Sequence, residues 1–217
     1  SPLIPAATVV LLRDSAQGLE VLMLRRNRSL RAFGGLWVFP GGRVDAADAP
    51  ESSDAMEKAL AAAKRETKEE TGLDIRCEDL VSLSYWIPPV QEKRRFSTRF
   101  FIGRAPDAPV QIDEGEIHDY RWICPEELLE QIPSPDIMIV PPTFVSLKTL
   151  TEFSTVEAVI SHIHAAETDI FERLRRKIEY FSIDNNKSLD VVCHLIGVYR
   201  KKKYELIKGG NKLNIDF

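Results

Sequence analysis

Residues 65–73 read Arg-Glu-Thr-Lys-Glu-Glu-Thr-Gly-Leu and close a run of strong helix formers, AMEKALAAAKRETKEET, that starts at Ala55. The preceding PESSD (50–54) offers Ser and Asp as N-caps, and Gly72 stands where a C-cap glycine belongs. At 100° per residue, Glu69 lies about 60° to one side of Glu66 and Glu70 about 40° to the other. Three carboxylates therefore share an arc of about 100°, while Lys64 and Lys68 project to the opposite side. Like charges at i,i+4 destabilise a helix, and a hard dication such as Mg²⁺, which takes oxygen ligands and keeps waters for a phosphate substrate, would offset that cost. Ala62 and Ala63, one turn earlier, leave room for another backbone segment. Taken alone, such an acidic face is most often simply solvated. Upstream, however, Leu36–Phe39 reads as a short buried strand stopped by Pro40-Gly41-Gly42, and a double-glycine turn permits close backbone approach to a ligand.

The flanking sequence alternates less regularly than a βα repeat. Residues 6–12 (AATVVLL) and 19–24 (LEVLML) are β-rich runs separated by a polar turn, which predicts a hairpin or meander. Arg25 to Leu30 is basic and polar and reads as a loop. Further strands are expected at 79–87, 96–103 and 117–123. Pro125 opens a short helix, Pro141 starts another, and 155–180 is amphipathic and helical in pattern. This order predicts the α/β class: a mixed sheet with helices packed on it, rather than a Rossmann unit. Neither G-x-G-x-x-G nor G-x-x-x-x-G-K-[ST] is present.

Composition narrows the function classes. The chain has 217 residues, 33 acidic against 29 basic side chains and a net charge of −4, which excludes a generally basic nucleic-acid coat. No apolar run approaches the ~18 residues of a membrane span. The start carries no basic n-region, and the end, Ile-Asp-Phe, is not a peroxisomal tripeptide, so a cytoplasmic enzyme is the expectation. Cys77, Cys124 and Cys193 form neither a disulfide framework nor a zinc motif. His162 and His164, two apart on a helix, point about 160° apart and are no metal pair. Trp37, Trp86 and Trp122 read as core aromatics, with Trp86 beside Pro88-Pro89 also able to stack on a base; Lys201 to Lys203 read as a solvated tail.

On Gly42, Arg65, Glu66, Glu69, Glu70, Gly72 and Leu73 the sequence resembles the Nudix hydrolase family. Its signature is Gly, five residues, Glu, seven residues, then Arg-Glu-U-x-Glu-Glu-x-Gly-U, with U aliphatic. There are three departures. Thr67 stands at an aliphatic position, Asp48 stands where the first Glu belongs, and nine extra residues separate Gly42 from Arg65. The resemblance implies an α/β/α sandwich, with a Nudix domain over residues 1–150; residues 151–217 are then expected to form a C-terminal helical extension and tail, packed on or continuous with that domain. It implies a diphosphatase in which Glu66, Glu69 and Glu70 bind Mg²⁺ or Mn²⁺ and carry catalysis. Arg65 would orient a carboxylate, and the backbone at Gly41 and Gly42 would hold metal or phosphate oxygens. Glu116, with Glu114 second, would complete the metal set.

Positions 22–42, LMLRRNRSLRAFGGLWVFPGG, are similar to the motif of the coenzyme A diphosphatases within the family: Arg26, Arg31, Gly35 and Phe39 to Gly42 fall on it, while Leu24 and Asn27 replace a Thr and a Ser. Arg26 and Arg31 are thereby candidates for a coenzyme A phosphate, which arginine forks suit. The alternatives are a solvated basic loop, another substrate such as NADH, ADP-ribose or a nucleotide sugar, or a non-catalytic nucleotide sensor. Retention of Glu66, Glu69 and Glu70 disfavours the sensor. The expected partner is a small-molecule nucleoside diphosphate derivative, with no nucleic acid and no membrane, and with a homodimer left open.

Overall fold

The computed structural model describes residues 2–29, 34–88, 94–132, 134 and 136–165. The strands are β1 (Leu3–Ser15), β2 (Gly18–Arg26), β3 (Trp37–Val38), β4 (Gly41–Arg43), β5 (Val81–Trp86), β6 (Arg95–Arg104) and β7 (Ile117–Ile123). The helices are α1 (Ala55–Thr71), α2 (Pro125–Gln131), α3 (Pro141–Leu150) and α4 (Val156–Ala165). The sheet is mixed: β1 runs parallel to β6 and antiparallel to β2, and β5 pairs antiparallel with the far side of β6.

Alternation along the strands sorts the core into two layers. Ala7, Val9 and Leu11 of β1, with Leu22 and Leu24 of β2, face Ala59, Ala62 and Ala63 of α1. Val10 and Leu12, with Val21 and Met23, face the other way, against Leu128, Val145, Leu147 and Val159 from α2, α3 and α4. The sheet is thus enclosed by helices on both faces, the expected α/β/α sandwich. The alanines let α1 lie close to the sheet, which fixes the height of the acids that follow them.

Two sequence expectations are corrected. Arg25 and Arg26 are not loop but the end of β2, paired with β3 and β7. Arg25 is held in the strand by pairing with Trp37 on one side and Asp119 on the other, and its guanidinium lies over the Trp37 ring, 5.9 Å from the centroid. Gly41-Gly42 is not a turn but part of β4, paired antiparallel with Ala6–Thr8. The reason lies in the sheet. β1 and β2 pair only from Leu12↔Val21 to Ser15↔Gly18 and then diverge, and β3 and β4 occupy the fork, with the Val9 N–H donating to the Pro40 carbonyl at 2.8 Å. At Gly41, φ is +152°, and a Cβ would overlap the Ala7 carbonyl and Thr8, so only glycine fits this pairing.

The described part of the 151–217 segment, α4, packs on the same core through Val156 and Val159. Asp14 of β1 anchors its start, accepting the Val156 N–H at 2.8 Å. The rest of the helix expected over 155–180, Cys193, the Lys201–Lys203 tail, Pro89 and the candidate Arg31 lie outside the described residues. Trp37 and Trp86 are core residues, whereas Trp122 is half-buried under Arg13.

Candidate active site

The site begins with the caps of α1. Asp54 accepts the Met56 N–H at 2.7 Å, and Gly72 ends the helix in the left-handed region at φ +73°. Lys68 Nζ donates to the Gly72 carbonyl and Lys64 pairs with Asp74, so neither lysine faces the acids. The last two turns of α1 carry the acids beneath β4. The Gly41 N–H donates to Glu70 Oε2 at 2.9 Å. The Glu66 carboxylate lies against Gly42, where any Cβ would overlap it. The fork in the sheet is what brings this glycine strand over the helix.

The three acids do not behave alike. Glu70 is buried and Glu66 nearly so, whereas the Glu69 side chain is 58% exposed. Arg65 accounts for the split. Its Nη1 donates to Glu66 Oε1 at 2.9 Å and to Glu69 Oε2 at 3.1 Å. Its Nε and Nη2 grip the buried Asp48 carboxylate at 2.9 and 3.0 Å, and Nη2 also reaches the Arg43 carbonyl at 3.1 Å. Arg65 thus holds Glu66 in and Glu69 aside. The arc read from the helix is therefore not without a cation; the arginine within the motif supplies one.

Asp48 takes a definite place. It is only 4% exposed, accepts the Asp45 N–H at 2.7 Å and clamps Arg65 from the loop between β4 and α1. Burial raises its carboxyl, but the hydrogen bonds from Arg65 and Asp45 outweigh this and hold it below the ordinary value. The same contacts push Arg65 upward, Asp48 first. The sequence marked Asp48 only as a departure. Its position six residues after Gly42, where the resemblance has an acid, is the signal that could have assigned it to Arg65.

Glu116 is brought to the same cluster, with Oε2 3.3 Å from Arg26 Nη2, while Glu114 is exposed in the loop. That loop is tied to the end of α1: the Asp113 N–H donates to the Glu70 carbonyl and Gln111 N–H to Thr71. Arg26, expected in a free basic loop, instead turns inward, with Nη1 3.4 Å from Glu70 Oε1. Its strand position at the β2 bulge aims it there.

The electrostatics follow from this crowding. Burial pushes Glu70 up to about 8, against the Gly41 N–H and Arg26, and Glu66 and Glu116 push it further. Burial also raises Glu66, assisted by Glu69 and Glu116 and opposed by Arg65. The cluster is short of positive charge, and its donors are hard oxygens, so its chemistry suits an Mg²⁺- or Mn²⁺-sized cation. In the present arrangement no three His, Cys, Asp or Glu side chains among the described residues already converge on one ion-sized point. Arg65 and Arg26 occupy the carboxylates between them.

The NUDIX domain matches residues 2–141, and the chain belongs to the NUDIX family. Fold and family model agree on this assignment. A NUDIX hydrolase of Alicyclobacillus acidocaldarius superposes with a TM-score of 0.67 at 25% identity, covering 74% of this chain and 96% of that one. The chain is 37% identical over 78 residues to the acyl-coenzyme A diphosphatase NUDT19 of Xenopus laevis, covering 34% of this chain and 20% of that protein. It is 30% identical over 135 residues to the m7GpppN-mRNA hydrolase NUDT17 of Danio rerio, covering 55% of this chain and 41% of that protein. The chain thus spans well under two thirds of these curated relatives. No helix among the described residues is long and apolar enough to cross a membrane.

Proposed function

We propose that the chain hydrolyses the diphosphate bond of a nucleoside diphosphate linked to another moiety, with coenzyme A or an acyl derivative as the substrate. The observation that carries the reading is the packing of Glu66 and Glu70 under the Gly41-Gly42 strand, beside Glu116 and with too little positive charge to balance them. Nudix hydrolases generally use divalent metal ions. Here Glu66, Glu70 and Glu116 are the side chains that would hold one, with the Gly42 backbone beside them and Glu69 within reach on the flank. Bound there, the ion supplies polarisation of the diphosphate oxygens and a more acidic attacking water. The chain's own work is positioning and charge placement, which phosphoryl chemistry chiefly needs. Arg65 keeps Glu66 aimed inward, Asp48 keeps Arg65 in place, and β4 excludes bulk on one side of Glu66 and Glu70.

Support for coenzyme A comes from the arginine-bearing stretch 22–42 and from the likeness to the acyl-coenzyme A diphosphatase. Support for a capped nucleotide comes from the longer match to the m7GpppN-mRNA hydrolase, which makes it the second reading. Product analysis with Mg²⁺ across coenzyme A, NADH, ADP-ribose, a cap analogue and nucleoside triphosphates separates them. The expected result is adenosine 3′,5′-bisphosphate and phosphopantetheine from coenzyme A; turnover of the cap analogue alone would support the second reading. Arg31→Ala is expected to weaken coenzyme A more than dephospho-coenzyme A, and equal loss on both would remove Arg31 from the phosphate site.

A further inference from the structure

The two arginines at this site are attached in opposite ways. Arg65 makes directed contacts of 2.9–3.1 Å to Asp48, Glu66, Glu69 and the Arg43 carbonyl. Arg26 reaches Glu70 at 3.4 Å and Glu116 at 3.3 Å, both longer than the ~2.7–2.9 Å of a well-formed charge-assisted bond. Its Nε is buried and has no hydrogen-bond partner among the described residues. Its backbone, in contrast, is fixed: Arg26 N–H donates to the Leu36 carbonyl at 3.0 Å, and its own carbonyl accepts the Gly35 N–H at 3.0 Å. The stem is therefore anchored, while the head is held by charge attraction and two long hydrogen bonds. It also bridges Glu70 of α1 and Glu116, just before β7, whose oxygens a dication would share.

We propose that Arg26 is a displaceable counter-ion: its guanidinium neutralises Glu70 and Glu116 in the metal-free protein, and an entering dication expels it. The proposal rests on the metal-binding reading of Glu66 and Glu70. On this account Arg26 is a positioning residue that sets metal affinity by competing for the same oxygens. A second cation held within a few ångströms of the site opposes ion binding by like-charge repulsion, and its removal is worth at least about tenfold in affinity even with the screening of bulk water. A purely structural arginine has the reverse signature, because its loss would disorder Glu70 and weaken metal binding.

The test is Mn²⁺ titration of the full chain, followed by the electron paramagnetic resonance of the free ion at pH 8. Arg26→Gln is expected to bind Mn²⁺ at least about tenfold more tightly than wild type while melting at a lower temperature without metal. Arg26→Lys, which keeps the charge, is expected to retain wild-type affinity. Unchanged or weaker binding in Arg26→Gln overturns the proposal. If wild type binds no Mn²⁺, the metal reading fails first and takes the proposal with it. Should Arg26→Gln not fold, the wild-type protein still decides: Mg²⁺ is expected to speed solvent exchange of the Arg26 Nε proton, and unchanged exchange overturns the proposal.

Discussion

Gly42 and Glu66 show how a single hydrogen atom in place of a methyl group can set a site. A Cβ at Gly42 would displace the Glu66 carboxylate, so Gly42→Ala is expected to reduce turnover at least tenfold while changing the thermal midpoint little. Steady-state kinetics beside a melting curve checks this. Glu70 gives a prediction with a sign. Its folded-state value lies above the unfolded one, so its contribution to stability is full below the unfolded value and is lost as pH rises through about 8. Glu70→Gln is therefore expected to flatten the loss of metal-free stability between pH 6 and pH 9, measured by urea melts, while abolishing turnover. Thr67 is the mild departure from the motif, and the structure gives it a cost: its hydroxyl is buried with no hydrogen-bond partner among the described residues. Thr67→Val keeps the shape and removes that polar atom, and is expected to stabilise the fold by about 1 kcal/mol in a denaturant titration. At this scale the sequence was readable where chemistry is local. Spacing on α1 placed Glu66, Glu69 and Glu70 on one arc, but the exposure of Glu69 depends on Arg65, whose other partners come from a distant loop.

Helix α1 was legible almost to the residue, because its caps, its alanines and its period all agree. Strands β3 and β4 were not. Read locally, Pro40-Gly41-Gly42 is a turn, and only the divergence of β1 from β2, a long-range property, makes it a strand. The same holds for Arg25 and Arg26, polar residues kept in β2 by pairing with β3 and β7. The nine-residue insertion between Gly42 and Arg65 disturbs neither element, because Asp48 near its start reconnects the loop to α1 through Arg65. Asp48→Asn is expected to destabilise the protein at neutral pH by about 2 kcal/mol, less than a fully enclosed pair because Arg65 is partly exposed. The Asp48 carboxyl lies below its ordinary value of 3.8 in the fold. Its contribution is therefore present above that value and lost as pH falls further, so the difference between variant and wild type should shrink in acid. Urea melts at pH 7 and pH 3 check the sign.

In the whole molecule, the α/β/α order positions the site by closing both faces of one sheet, and the order of strands and helices along the chain already announced that class. The segment after residue 150 was expected to pack on or continue the domain before it, but the residue that ties α4 to β1 was not legible. Asp14 accepts the Val156 N–H and pairs with Arg104, so α4 shares the core through Val156 and Val159. Asp14→Ala is expected to loosen α4 first, seen as faster amide exchange at Val159 with the β1–β6 ladder still protected. The substrate remained illegible for a physical reason: carboxylates that suit a dication are indifferent to what the diphosphate is linked to, and Arg31, the side chain proposed to discriminate, lies outside the described residues. The most direct measurement of the central claim is the anomalous difference map of a crystal soaked in Mn²⁺. The account predicts a peak among Glu66, Glu70 and the Gly42 backbone. No peak there, with those carboxylates still held by Arg65 and Arg26, would contradict it.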